Sequence, residues 1–380
     1  MTSTPFTIAV SDDDVEDLRL RIVRTRWARD LGAPGWAAGT RASELLRLAE
    51  YWADGYDWRH HEAELNTLPA ATAKVAGESV HYLRFDAEDP AALPLILTHG
   101  WPSTFLELTR LAHRLARPGE FGRNAPAFTV IVPSLPGFAF SAARPVFPTD
   151  VPTHELWHLL MTVELGFERY GAHGGDLGAG VTTRLGQAHP ESVVGIHVLA
   201  VEPPLEVDNA RVTPAEQAYL DEEVAWNAND GAYQHQQQTR PMSLAPGLSD
   251  SPVGLLAWIL EKYHAWTDGE GAGLPASFDD DFVLTQASLY WFTNTISSSF
   301  RPYFEHGRGL SVPVTRIDVP TAVAVFPADL GRPPREWAER TYNVTQYTEM
   351  PRGGHFAARE EPDLLADDIR SFFGPLKQAR

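Results

Sequence analysis

Cysteine is absent from all 380 residues, which excludes a disulfide scaffold, a thiolate metal site and a cysteine nucleophile together. Positive charge is scarce as well: 31 Lys and Arg stand against 50 Asp and Glu, a formal net charge of −19. A surface of that sign repels phosphate backbones and anionic lipid headgroups, so no nucleic-acid partner is expected. No stretch approaches the ~20 apolar residues that span a bilayer. The start, MTSTPFTIAVSDDD, lacks the basic residues and apolar run of a secretory signal. No membrane anchor is therefore expected, and the cytoplasm is the expected compartment. What remains is ordinary for a folded chain, with 43% hydrophobic and 21% charged residues over a length that exceeds one average domain.

The first quarter reads as helical. Ser11 precedes Asp12, Asp13 and Asp14, and Val15, Leu18 and Ile22 recur at helical spacing before Arg24 and Arg26. That order suits a capped helix whose charges match its dipole. A second helical stretch runs from Ser43 through Leu45, Leu46, Leu48, Tyr51 and Trp52. Strands are expected to begin near Glu78, where Ser79 to Phe85 alternates, followed by Leu95 to Thr98 and the turn His99-Gly100-Trp101-Pro102. Apolar runs at Phe128–Val132, Tyr170–His173, Val193–Val201, Ala322–Phe326 and Val344–Tyr347 then alternate with helical segments. Such alternation implies an α/β fold with a mainly parallel sheet covered by helices on both faces. It is interrupted between about Pro203 and Phe304, a region with a helix predicted at Pro252–Trp266 and a loop at Gly269–Gly273, which reads as a helical insertion.

Chemistry concentrates in four places. Gly174-Gly175-Asp176-Leu177-Gly178 has the layout of a nucleophile elbow, with aspartate where G-x-S-x-G places serine. Glycines flank such a residue because the strand-to-helix turn leaves no room for side chains. Far downstream, Arg352-Gly353-Gly354-His355-Phe356 sets a histidine in a glycine-supported loop after the last strand, where an α/β-hydrolase carries its general base. Between them Asp329 follows a strand end and suits the acid that orients His355, with Glu336 and Glu339 as alternatives. The fourth place is His99-Gly100-Trp101-Pro102, in the loop that lends a main-chain N–H to an oxyanion hole. The residue after the nucleophile, Leu177, lends the second.

In this order the segments resemble the microsomal-type epoxide hydrolases of the α/β-hydrolase superfamily over nearly the whole chain. The resemblance also rests on Tyr56-Asp57-Trp58-Arg59, Glu62 to Asn66, Ser251 to Leu255, Leu289-Tyr290-Trp291 and Met350 to Ala358. It implies an amino-terminal wrapping segment over 1–77, a hydrolase core over 78–203 and 305–380, and a helical lid over 204–304. It implies Asp176 as nucleophile, His355 as base and Asp329 as relay acid. Two lid tyrosines, Tyr233 and Tyr303, would bind the epoxide oxygen, with Tyr290 as a rival for the second position. Trp101 and Leu177 would form the oxyanion hole, and His99, Pro102 and Trp291 would line the substrate site. Leu177 departs from the family, many of whose members carry Trp there. No cofactor and no metal are implied. The expected partner is a small hydrophobic, aromatic epoxide, and a homodimer is the assembly left open. Similar chains occur in bacterial secondary metabolism, including enediyne pathways.

The chemistry fits those residues. A strained three-membered ether needs a nucleophile at carbon and an acid at oxygen, and a carboxylate paired with phenols supplies both. Three other readings compete. His154-Glu155-Leu156-Trp157-His158 matches the H-E-x-x-H zinc pattern. However, the positions of a third His and its Gly hold other residues, and Leu156, Leu159, Leu160 and Val163 are expected to face the sheet. A haloalkane dehalogenase would want an indole beside the nucleophile, which Leu177 does not offer. A catalytically inactive binding protein on the same fold would have no need of all three catalytic residue types in order.

Overall fold

Nine strands form one sheet in the computed structural model, which describes residues 3–144, 151–207, 211–269 and 273–376. They are β1 (Thr4–Pro5), β2 (Ala70–Val75), β3 (Glu78–Phe85), β4 (Pro94–Thr98), β5 (Thr129–Pro133), β6 (Tyr170–Gly174), β7 (Val193–Val198), β8 (Ile317–Val325) and β9 (Tyr342–Glu349). Their spatial order is β1-β2-β3-β5-β4-β6-β7-β8-β9. The pairs from β5 to β9 are parallel, and those from β1 through β3 to β5 are antiparallel. After β4 the chain moves to one side for β5 and to the other for β6. That reversal opens a crevice at the carboxyl ends of the strands, where open α/β sheets bind ligands.

Strands β5, β6 and β7 are buried along their whole length, as expected of parallel strands covered on both faces. One face packs Phe105, Leu108, Leu111 and Leu115 of the helix Phe105–Ala116 with Leu365, Ile369 and Phe373 of the helix Pro362–Leu376. The other packs Leu156, Leu160, Ala179 and Leu185 from the segments before and after β6.

Two expectations need correction. Strands do not begin at Glu78: β1 and β2 join the sheet from within the amino-terminal segment. Strand β2, AATAKV, escapes notice because small and helix-favouring residues carry no alternation. The hairpin that follows turns on Ala76 and Gly77, both at positive φ (49° and 89°), the conformation of a two-residue I′ turn. Val163 does not face the sheet but is 66% exposed. The helix Thr153–Leu159 widens into a π-helical turn at Leu160–Glu164, which adds a residue per turn and rotates Val163 outward. The expected boundary at 304 falls within the helix Arg301–Gly307. Of the expected Gly269–Gly273 loop, residues 270–272 lie outside the described residues.

The amino-terminal helices are tied to this insertion. The helix Asp12–Val23 starts at Ser11, whose hydroxyl accepts from the Asp14 N–H at 3.1 Å, and buries Leu18 and Ile22. Trp52 donates its indole N–H to Ser288 at 3.0 Å, and Tyr51 donates its hydroxyl to Asp281 at 2.7 Å. No helix among the described residues is long and apolar enough to cross a membrane.

Candidate active site

Asp176 sits between β6 and the helix Leu177–Ala188, with φ 48° and ψ −128°, a conformation that non-glycine residues avoid. The turn is possible because its neighbours lack side chains. A β-carbon on Gly174 would overlap the Gly178 carbonyl, and one on Gly178 would overlap the Thr98 carbonyl. The carboxylate is thereby held at the mouth of a helix whose first N–H groups have no intrahelical acceptor, the Leu177 N–H among them.

Register assembles the rest. Thr98 of β4 pairs with Gly174 of β6, so the loop after β4 lies beside Asp176, and the Trp101 N–H donates to Asp176 Oδ1 at 2.8 Å. On the far side, β8 and β9 run parallel and their trailing loops are bridged between Ala328 and Gly354. Asp329 and His355 follow directly, with His355 Nδ1 2.7 Å from Asp329 Oδ1 and His355 Nε2 3.5 Å from Asp176 Oδ2. The Leu330 N–H donates to the same Asp329 oxygen at 2.7 Å. Burial would lower the His355 pKa, but the charges and hydrogen bonds of Asp329 and Asp176 outweigh it and hold the imidazole well above its ordinary value. The alternatives Glu336 and Glu339 are engaged elsewhere, with Thr213 and Arg335.

A cavity of about 620 Å³ opens over the carboxylate, lined by Asp176, Leu177, Asp329 and His355 below and by Tyr233 and Tyr303 above. The two phenol rings lie 6.0 Å apart, and among the described residues the buried Tyr303 hydroxyl makes no hydrogen bond of ordinary geometry. Tyr290 does not line this cavity; its hydroxyl donates to the Ser103 carbonyl at 2.9 Å. Burial first, then the Asp176 charge, pushes both Tyr233 and Tyr303 well above the ordinary phenol value, so both retain the proton they would donate.

The three residues expected to line the substrate site do not reach the cavity. His99 is buried as a loop pin: its Nε2 accepts from the Leu135 N–H at 3.1 Å, which leaves Nδ1–H to donate to the Gly100 carbonyl at 3.0 Å. The Pro102 carbonyl accepts from Tyr263 at 3.3 Å. Trp291 packs at the contact with the amino-terminal segment, with the Arg21 guanidinium 5.7 Å from its ring. Of the tryptophans in the helical insertion, Trp226 lines the cavity. The H-E-x-x-H histidines serve separately. His154 is buried at the cavity wall, while His158 stacks on His189 at 3.6 Å and shares a hydrogen bond with Tyr170 at 3.1 Å.

Two acidic residues escaped the sequence reading. Glu107 shares a helix face with Leu111 and Leu115 and is buried behind Asp176. Burial pushes its pKa up to about 7. It lines a second void of about 20 Å³ together with Ser103, Asp176 and His355, enough for one water molecule. A charged residue in an apolar helical stripe is the signal that would have found it. Glu360 pins the histidine loop, accepting from the N–H groups of Gly354 and Phe356, both at 3.1 Å, and of Asp268 at 2.7 Å.

Known proteins resemble this chain in both sequence and fold. A family model described as the epoxide hydrolase N terminus matches residues 3–108. The chain is 39% identical to a protein of Stigmatella aurantiaca whose name assigns it to the epoxide hydrolases, over 98% of this chain and 85% of that protein. It is 34% identical to epoxide hydrolase 1 of Sus scrofa, over 98% and 89% of the two chains. Among solved structures, juvenile hormone epoxide hydrolase from the silkworm Bombyx mori superposes with a TM-score of 0.89 at 28% identity, covering 100% of this chain and 95% of that one. The Aspergillus niger epoxide hydrolase gives 0.85 at 29% identity, covering 99% and 97%.

Proposed function

The chain belongs to the epoxide hydrolases of the α/β-hydrolase superfamily, and we propose that it opens its epoxide in two steps through an ester on Asp176. The observation that carries this reading is the convergence on one cavity of the Asp176 carboxylate, the His355–Asp329 pair and two phenols.

In the first step Asp176 Oδ2 attacks a ring carbon of the epoxide, the carbon–oxygen bond breaks, and the electron pair passes to the departing oxygen. Tyr233 and Tyr303 donate to that oxygen as it becomes an alkoxide, and it leaves this step as a hydroxyl. Oδ1 stays under the Trp101 N–H and becomes the ester carbonyl oxygen. Esterification also removes one of the two anions that hold the His355 pKa high, so the imidazolium gives up its proton, which restores the phenol that donated, and the imidazole becomes a base only once the intermediate exists. A water in the small void between Glu107, Ser103 and His355 then loses a proton to His355 and attacks the ester carbonyl carbon. The N–H groups of Trp101 and Leu177 hold the oxyanion. Collapse breaks the bond from the carbonyl carbon to Oδ2, the hydroxyl proton left on the added oxygen passes to Oδ2, and the vicinal diol leaves as Asp176 returns to its carboxylate.

The cavity walls favour an apolar, aromatic substrate. Trp226, Leu135, Val181 and Leu330 line the cavity and present flat or aliphatic surface. The test is to trap the intermediate. His355→Gln treated with styrene oxide should gain the mass of one substrate on the peptide that contains Asp176, with turnover lowered by about 10³-fold. A variant that turns over at the parental rate, or that gains no mass, would remove His355 from the role given to it.

A further inference from the structure

Behind Tyr233 lies a buried cation that the two-step reaction above does not use. Lys262 is 4% exposed, in the middle of the helix Pro252–Trp266, where Trp258, Lys262 and Trp266 succeed one another at i, i+4 and i+8 on one face. Its ammonium is 4.5 Å from the centre of the Tyr233 ring, 5.5 Å from that of Trp266 and 6.0 Å from that of Trp258. Glu261 pairs with it. The Tyr233 ring in turn stacks on Trp101 at 5.2 Å and 6°. The proton donor is thus held between the oxyanion loop and a cation.

Burying an ammonium is costly, and an aliphatic side chain would fill the same space without that cost. What the ammonium adds is attraction for negative charge in the ring beneath it. Little such charge exists while Tyr233 is a resting phenol. As its proton moves toward the opening epoxide oxygen, charge flows into the phenol ring, and the attraction grows in the transition state beyond its ground-state value. That difference is what accelerates a step.

Resting on the reading of Tyr233 as a proton donor, we propose that Lys262 is a positioning residue that strengthens this donor electrostatically and so speeds ester formation. It has no part in ester hydrolysis, which runs through His355 and does not draw on the Tyr233 proton.

Single-turnover kinetics with styrene oxide, resolving ester formation from ester hydrolysis, test this in a double-mutant cycle. Lys262→Met should slow ester formation about tenfold and leave hydrolysis unchanged, and Lys262→Arg should restore the rate to within about twofold. In a Tyr233→Phe background, the Lys262→Met substitution should cost less than about twofold, because the charge it stabilises no longer forms. An unchanged rate in Lys262→Met, equal slowing of both steps, or a tenfold loss that persists without the Tyr233 hydroxyl would each overturn the proposal. Should Lys262→Met fail to fold, Glu261→Gln leaves the cation without its counter-charge and should quicken ester formation; slower formation contradicts the account. The two readings separate cleanly. If Tyr233→Phe forms ester at the parental rate, the assignment of Tyr233 falls first; if it is slow and Lys262→Met is not, only the role of Lys262 falls.

Discussion

The two halves of the site are held by different means. Asp176, Trp101, Asp329 and His355 belong to the sheet, each a few residues beyond the end of a strand. Their loops are tied by main-chain bonds, such as the Ala328 N–H to the Gly353 carbonyl at 3.1 Å and the Met350 N–H to the Val325 carbonyl at 2.8 Å. Tyr233 and Tyr303 belong to helices of the insertion and are placed by ring packing, with Trp101 within 5.2 Å of one and 5.8 Å of the other. Attack and ester hydrolysis depend on atoms aligned to fractions of an ångström, which main-chain register supplies. Donation to an alkoxide depends on a hydroxyl within reach, which a packed ring supplies.

If that contrast is right, substitutions in the two halves should fail at different steps. The largest effect belongs to the sheet half: Asp176→Asn should lower turnover by at least about 10⁴-fold, measured by diol formation, while thermal stability is retained. A stable variant with turnover within about tenfold of the parent would break the comparison at its centre. In the helical half, Tyr303→Phe should slow ester formation by about 10²-fold with ester hydrolysis unaffected, read from single-turnover transients. Equal slowing of both steps would mean that the ring is structural.

The smallest expected effect concerns Glu107, on the sheet side. It holds its proton to about pH 7 in the fold, against an ordinary value of 4.5. The folded state therefore binds this proton more tightly than the unfolded chain does. The stability it contributes is present in full below about pH 4.5 and is lost as pH rises through 7. Denaturant melts from about pH 4 to pH 8 should show the parent losing on the order of 3 kcal/mol relative to Glu107→Gln. A constant difference over that range would remove the buried acid from the account.

The same contrast explains what could be read from the chain. That Asp176, Asp329 and His355 would meet was legible because each follows a strand end, two of them in glycine-supported turns, in a chain order that has a structural cause. The turn His99 to Pro102 was legible as a loop, but not for which of its atoms point where. The main-chain N–H of Trp101 faces Asp176, while the side chain of His99 turns back to pin Leu135. Direction beyond a turn depends on long-range packing, and that also misplaced Trp291. Tyr233 and Tyr303 lie on helices with no local signature, and only resemblance to a family pointed to them. Glu107 lies five residues past Pro102 and became visible when folding set it behind the nucleophile. Strand β2 was hidden because its pairing partners, not its own alanines, make it a strand.

The central claim is that water attacks an ester of Asp176 and never the epoxide itself. One turnover with excess enzyme in water enriched in oxygen-18, followed by mass analysis of diol and protein, tests it directly. The account predicts unlabelled diol and heavy oxygen on the peptide carrying Asp176; heavy oxygen in the first diol released, with none on the protein, would contradict it.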